Sequence, residues 1–540
     1  MPAVPGIEIA AQNGADHAIE RLPTGITAFV GRTLKGPINQ AVPIASVAEF
    51  QLTFGGLWQP STLSYAIEHF FENGGRAAIV VRVANGARPP TLTLPAGSSP
   101  LRLAAVNPGS REFLRASVDY DGIGDNEPDL FNLVVQRVRA PGSELIEDQE
   151  IFRRLSVEPG SGRHVANVLL ESQLVRVAAE VPRERPDRSA STAGGPVIGY
   201  VNSNPDGDDG APLSNYDVIG SAVDGTGMFA LKASHGFNLL CIPPLGRDQD
   251  VGLSALLVAV RLCRDSHAML VVDPPGAWAT ANAALEALPS WPFRSDDAVM
   301  YFPRVLAFDR LRGRLERFGS AAAAAGMIAR SDETWPVWAA AESEDAVLRP
   351  GLRPASPVTD GERSRLAHAG VNTLLAVRPS VRSPVSPRTL AAGGAGTPDC
   401  RFLSARRLAL FIVGSIERGT RWLVFEQSVA ATWQCAQRQV EEFLAGLDAQ
   451  HAFAGATADE SYFVICDERV NDAASVAAGR VILLFGYAPA RPGDFHAWLI
   501  SHQAGSSRVR PVSVNRMATS QRRLEWEIET AILRGITLDA

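Results

Sequence analysis

Asn202, Asn204, Asp206, Asp208 and Asp209 crowd five oxygen-bearing side chains into one short stretch. Carboxylates and amides at alternate positions are what a calcium loop uses, and Gly207 falls at the sixth place, where such a loop turns sharply. The twelfth place holds Leu213, where a bidentate Glu is needed, and Pro205 interrupts the run. The stretch therefore reads as an Asx/Gly turn. Other chemistries fail on spacing in the same way. Lys35 precedes the second glycine of Gly31 to Gly36, the reverse of a phosphate loop. Gly122-Ile123-Gly124 lacks the third glycine of a dinucleotide fingerprint, and no Gly-x-Ser-x-Gly elbow occurs. The nine histidines are scattered without a His-x-x-x-His pair. Asp467 and Asn471 follow a strand, where ligand loops often sit in α/β folds, but no nucleophile lies near them in sequence. They read as turn and cap residues. The expectation is a protein with no catalytic residues, no bound cofactor and no metal site.

Composition sets the frame for that expectation. A chain of 540 residues, 46% apolar and 20% charged, is long enough for three or four domains with real cores. A net charge of −7 makes it a poor general nucleic-acid binder. All but two of its 51 basic residues, Lys35 and Lys232, are arginine. Arginine suits bidentate ion pairs at interfaces better than lysine does. Five cysteines, an odd number without a Cys-x-x-Cys pair, fit reduced thiols and folding in the cytoplasm. No signal peptide is evident at the N-terminus, and the longest apolar run, 251–260, is too short to span a bilayer.

The pattern along the chain predicts the elements. Residues 1–20 read as an arm, with Val4, Ile7 and Ile9 as its apolar positions and an alternating Ile7-Glu8-Ile9 strand. Residues 21–86 read as the first part of an α/β core. Gly25 to Val30 is a strand, Ser46-x-x-Glu49 opens a helix, and Ser61 caps a second helix that Asn73-Gly74-Gly75 ends. Ala77 to Val83 is then a buried strand. Residues 87–195 are Pro- and Gly-rich with short alternating stretches, and form an inserted β-rich module. Residues 196–400 resume the α/β core, and 401–510 form an α+β unit with a helix on Trp433, Val440, Phe443, Leu444 and Leu447. Residues 511–540 are a C-terminal arm. Its Leu524, Trp526 and Ile528 alternate with glutamates, which reads first as a half-buried strand; an amphipathic helix on Leu524, Ile528 and Ile532 is the rival reading. The fold class is thus α/β plus α+β, multidomain.

Several short motifs recur in a fixed order. They are Pro5-Gly6-Ile7-Glu8-Ile9, Thr24 to Gly31 with Gly36-Pro37, Phe54-Gly55-Gly56 and Phe70 to Gly75 running into Val80 to Val83. Asp206 to Gly210 with Tyr216, Asp273-Pro274-Pro275, Ala325 to Arg330 with Asp332, and Gly370-Val371-Asn372 follow. Arg406-Arg407-Leu408, Trp422 to Glu426, Gly455 and Gly486-Tyr487-Ala488-Pro489 with Pro492 and Phe495 complete the set. In order and spacing, from residue 5 to about 500, the chain resembles the contractile tail sheath proteins of phages and phage-derived injection particles. Trp335 to Trp338 is a loose version of the family's Trp-containing stretch, and nothing beyond 510 matches. The single-chain layout resembles phage-type sheaths more than the two-protein sheath of type VI secretion.

The resemblance implies a structural subunit, not an enzyme. Copies would stack helically around an inner tube and contract once, driving the tube through a target envelope. The implied partners are further copies of the chain, the inner tube protein, and baseplate and terminator proteins. Nucleic acid and direct membrane insertion are not implied. Assembly would occur in the bacterial cytoplasm, as part of a phage tail or tail-like particle. Val4, Ile7, Ile9, Leu524, Trp526 and Ile528 would pair with a neighbouring subunit's sheet edge, the alternative being pairing within their own subunit. Arg438, Glu441 and Glu442 are the tube-facing candidates by family analogy, and the inserted module would face outward. The competing reading is a soluble α/β enzyme or ligand-binding protein with an inserted β module.

Overall fold

The computed structural model describes residues 18–189, 199–234, 236–339, 347–376, 386–391 and 399–512. Its centre is a seven-stranded sheet in the order Asn372–Thr373, Ala298–Phe302, Met269–Val272, Leu239–Cys241, Thr27–Gly31, Ala78–Arg82, Ala41–Ile44. All neighbours are parallel except the last pair. Strand order reverses around Thr27–Gly31, as in a doubly wound sheet. The strands are apolar almost throughout because both faces are covered. Ala28 and Val30 enter one core and Phe29 enters the other.

Local sequence explains the helices on these faces. Ser46 accepts the Glu49 amide at 3.2 Å, and Glu49 reaches back to the Ala45 amide at 2.7 Å, one residue beyond the N-cap amide of a standard capping box. Ser61 accepts the Ser64 amide at 3.0 Å and opens the helix Thr62–Glu72. That helix packs against Ala321–Thr334, whose first nine residues are all buried. Gly326 permits the close approach, since a Cβ there would lie 2.3 Å from the Phe70 carbonyl oxygen.

Between the strands Ala78–Arg82 and Leu239–Cys241 the chain builds two antiparallel sheets over one shared core. One holds Thr91–Leu94, Leu101–Ala105 and Val175–Val177. The other has the order Val201–Asn202, Leu114–Asp119, Leu130–Val138, Ile146–Ser156. The polar stretch at 202–209 fastens this module to the core. Asp206 accepts from the Thr91 amide and hydroxyl at 2.8 and 2.6 Å, and Asp209 accepts from the Ser110 amide and hydroxyl, both at 2.8 Å. Arg82, only 1% exposed, donates to the carbonyls of Gly36 and Pro108 at 2.6 and 2.8 Å, and burial pulls its pKa down to about 10.

The C-terminal unit sets the helices Leu403–Gly419 and Ala430–Asp448 against one face of a four-stranded antiparallel sheet. The sheet order follows the chain: Tyr462–Ile465, Val481–Tyr487, His496–Gln503, Ser506–Val512. The last strand runs to Val512, two residues into the stretch read from sequence as an arm. Three other features were not predicted: the strand Ile146–Ser156, the hairpin Val305–Asp309 with Arg314–Phe318, and the hairpin His496–Gln503 with Ser506–Val512. The first two are rich in charge, which breaks the apolar alternation that betrays a strand. Asp467 and Asn471 do shape a turn. Asp467 accepts the Arg469 amide at 2.9 Å, and Asn471 exchanges two hydrogen bonds with the backbone of Ile482.

Candidate functional site

The six arm candidates, Val4, Ile7, Ile9, Leu524, Trp526 and Ile528, lie outside the described residues. The roots of both arms are described, and both sit on the C-terminal unit. At the N-terminal root, Ile19 is buried in that unit's core, with Gly419 so close that a Cβ would lie 2.8 Å from the Ile19 side chain. The Leu22 amide donates to Ser415 Oγ at 3.3 Å, and Arg21 donates to Gln450 Oε1 at 2.9 Å. Only then does the chain cross into Thr27–Gly31. At the C-terminal root, Ser506–Val512 is the outermost strand of the sheet and leads directly into residue 513. Tyr462–Ile465 is the opposite edge. An edge strand presents backbone donors and acceptors that another strand can satisfy. Pro511 blunts one edge locally because it has no N–H to offer.

The helix Ala430–Asp448 lies on the same unit. Ala436, Val440, Phe443, Leu444 and Leu447 form the apolar stripe that seats it on the sheet. Arg438 and Glu442 are exposed on the outward side, and Glu441 is half-buried, accepting from Gln437 Nε2 at 2.8 Å. The structure therefore brings these three residues onto one helix. Sequence reasoning missed two neighbours. Phe425, 90% exposed at the end of a 3₁₀ turn, and Val429, 46% exposed, stand beside the start of the helix. The run Trp422-Leu423-Val424-Phe425 was the available signal, but it reads as core until the tight turn splits Leu423 inward and Phe425 outward.

Ion pairs lock this unit to the parallel-sheet body. Asp297, with a fully buried side chain, accepts from Arg406 Nε at 3.0 Å and Nη2, and from Arg264 Nε at 2.9 Å. Burial works against the Arg406 charge, but Asp297 and Asp296 outweigh it and raise its pKa further. Arg407 forks onto both oxygens of Asp332 and also reaches the Thr24 carbonyl at 3.2 Å. His267 Nε2 meets Glu417 Oε2 at 2.9 Å. Burial pushes the Glu417 pKa up, yet the hydrogen bond and charge of His267 bring it net below the ordinary value. Among the described residues no group of three or more His, Cys, Asp or Glu side chains is placed to hold a metal.

No protein-family model and no curated protein matches the sequence. Solved structures do match it, over most of its length. The contracted sheath complex of an extracellular contractile injection system, PVC, has a TM-score of 0.52 at 16% identity, covering 92% of this chain and 96% of that one. The sheath tail protein from Listeria innocua has a TM-score of 0.58 at 11% identity, covering 91% and 97%. A chain of the anti-feeding prophage baseplate has a TM-score of 0.50 at 17% identity, covering 92% and 98%. Such identities speak for architecture, and the architecture runs nearly from end to end in both partners of each comparison. The chain has the fold of the contractile tail sheath proteins.

Proposed function

We propose that the protein is the structural subunit of a contractile tail sheath. It polymerises helically with copies of itself around an inner tube, joins a baseplate at one end, and contracts to drive the tube through a target cell envelope. The observation that carries this reading is the near-complete coverage of a sheath in the contracted state, 92% of this chain and 96% of that one. The roots of both arms support it, because both lie on the unit whose four-stranded sheet ends, among the described residues, in the edge strands Tyr462–Ile465 and Ser506–Val512. A strand passed from one copy to the next onto such an edge keeps the copies tethered while their bodies rotate. A heterologous contact of that kind does not close on itself and generates a helical filament. The helix Ala430–Asp448, with Arg438, Glu441 and Glu442, is the proposed tube-facing element. Assembly is proposed to occur in the bacterial cytoplasm. No helix among the described residues is long and apolar enough to cross a membrane. The enzyme reading gains nothing from the comparisons, which return sheath or particle components.

Negative-stain electron microscopy tests the proposal. The full chain, co-expressed with its cognate inner tube protein, should give sheathed tubes. Persistent monomers or closed dimers overturn it. Deleting residues 1–12 should abolish tubes while leaving a folded monomer, as seen by circular dichroism and gel filtration; normal tubes from that deletion refute strand exchange.

A further inference from the structure

Two edge strands far apart in the chain have opposite charge and matching apolar faces. The strand Ile146–Ser156 is the outermost strand of the module's four-stranded sheet and contains neither Pro nor Gly. Glu147, Asp148 and Glu150, with Glu144 just before them, make its first half acidic, and Arg153 and Arg154 follow in the second half. Leu145, Ile146 and Ile151 are 58%, 47% and 54% exposed. A long, exposed, partly apolar edge is an invitation to pairing, and chains that must stay monomeric blunt such edges. Its far end is covered where Arg163 donates to the carbonyls of Arg153 and Arg154, and Glu150 at its middle accepts from Ser172 Oγ and the Gln173 amide.

The hairpin Val305–Asp309 and Arg314–Phe318 belongs to the parallel-sheet body, with Val305, Ala307 and Phe318 in its core. Arg314–Phe318 is the outermost strand of its sheet. Arg310, Arg312, Arg314 and Arg317 make the hairpin basic against the single carboxylate Glu316 on its outer strand. Phe308 and Leu315 face each other across the strands and are 58% and 51% exposed, with Leu311 at the turn 53% exposed. Such an apolar pair flanked by arginines marks a contact surface.

We infer that the acidic strand Ile146–Ser156 of one subunit docks on the basic hairpin 305–318 of a second copy of this chain. This rests on the sheath reading and deepens it. The inserted module then contributes an intersubunit contact instead of only decorating the exterior. The two surfaces sit on different hydrophobic cores of one chain, so joining them between copies is heterologous and propagates. The occupant is a second copy because the solvent-facing groups are complementary: Glu144 and Asp148, 88% and 48% exposed beside Arg115 and Arg137 of their own subunit, against Arg310 and Arg314, 61% and 67% exposed beside Glu68 and Glu316, and Leu145, Ile146 and Ile151 against Phe308, Leu311 and Leu315. Opposed charges of this kind set partner and register more than raw affinity.

Two experiments on the full chain with its inner tube protein test the inference. In a Cys435→Ser background, Ile146→Cys together with Leu315→Cys should give a covalent ladder of multimers when tubes are oxidised. Either substitution alone should give dimers at most. Separately, Arg314→Glu with Arg317→Glu, or Glu144→Arg with Asp148→Arg, should each cut tube yield at least tenfold. Combining all four should restore it. Tubes of the Ile146→Cys, Leu315→Cys protein that give no ladder, with both charge reversals polymerising normally, overturn the inference and leave the sheath reading standing. A wild-type chain that forms no tubes removes both.

Discussion

Asp297 takes two guanidinium groups from two helices, Arg264 of Leu253–Asp265 and Arg406 of Leu403–Gly419, and its side chain is fully buried. Its partners are unequal. The Arg264 side chain is 62% exposed, whereas that of Arg406 is 14% exposed. Removing an exposed partner loses little, up to about 1 kcal/mol. Removing the carboxylate strands a buried guanidinium, which costs about 3–5 kcal/mol. Asp297→Ala should therefore lower the urea midpoint far more than Arg264→Ala; equal shifts would show that Arg406 finds another partner. His502 supplies a pH dependence. It is fully buried, with Nε2 at 2.9 Å from Thr420 Oγ1 and Nδ1 at 2.8 Å from Ser507 Oγ. Thr420 already donates its hydroxyl hydrogen to the Ile416 carbonyl, so His502 Nε2 carries the proton toward Thr420 and Nδ1 accepts from Ser507. Burial holds its pKa down at about 4 against an ordinary 6.5, with Glu417 pulling up and Arg421 pushing down. The unfolded chain then binds more protons than the folded one between these values. The contribution is present above pH 6.5 and is lost as pH falls toward 4. Melting temperature should fall more steeply over that window for the wild type than for His502→Gln, which keeps a donor toward Thr420. Parallel pH profiles would refute this.

At the scale of elements, the signals that were legible in the sequence are those a single segment carries. Ser61 and Asn73-Gly74-Gly75 bracket the helix Thr62–Glu72 because a cap and a left-handed glycine are local requirements, and Gly74 does sit at φ +108°. The outward face of Ala430–Asp448 was legible because period 3.6 assigns Arg438 and Glu442 to the side opposite Val440 and Leu444. Ile146–Ser156 was not, since an edge strand needs no regular alternation when most of its residues meet solvent. Phe425 was not, because exposure of an aromatic is decided by the turn that carries it. Gly326 belongs to the second kind. In isolation, Gly→Ala within a helix gains about 1 kcal/mol. Here the added Cβ would lie 2.3 Å from the Phe70 carbonyl oxygen, inside contact distance of backbone. Forcing two packed helices apart costs about 1–3 kcal/mol and outweighs the propensity gain. Gly326→Ala should thus lower the melting temperature, and a rise would mean that Thr62–Glu72 yields without loss.

Over the whole molecule the question is which parts move relative to one another. On the proposed function, arms passed to neighbours would flex at their roots, while the bodies they connect are fastened internally. Arg406 to Asp297, Arg407 to Asp332 and His267 to Glu417 all cross from the helix Leu403–Gly419 to the parallel-sheet body. The N-terminal root crosses the same boundary from Ile19 to Thr27. Breaking buried charge pairs is costly, whereas contacts between copies can exchange one partner for an equivalent one. Contraction should therefore turn each subunit as one rigid body, with the changes confined to the contacts between copies. Gly414 offers the means to test this. A Cβ built there lies 3.3 Å from the His267 Cβ, close to the 3.5–4.5 Å span of a disulfide. His267→Cys with Gly414→Cys should form a staple between the two units under oxidising conditions. Stapled subunits should still assemble, and their sheaths should contract to the same length as the wild type when triggered by mild denaturant. If instead the stapled sheath stays extended and contracts only after reduction, the two units hinge during the stroke. The ion pairs at their boundary would then be latches that open, and Asp297 and Asp332 would be the residues whose removal shortens the lifetime of the extended state.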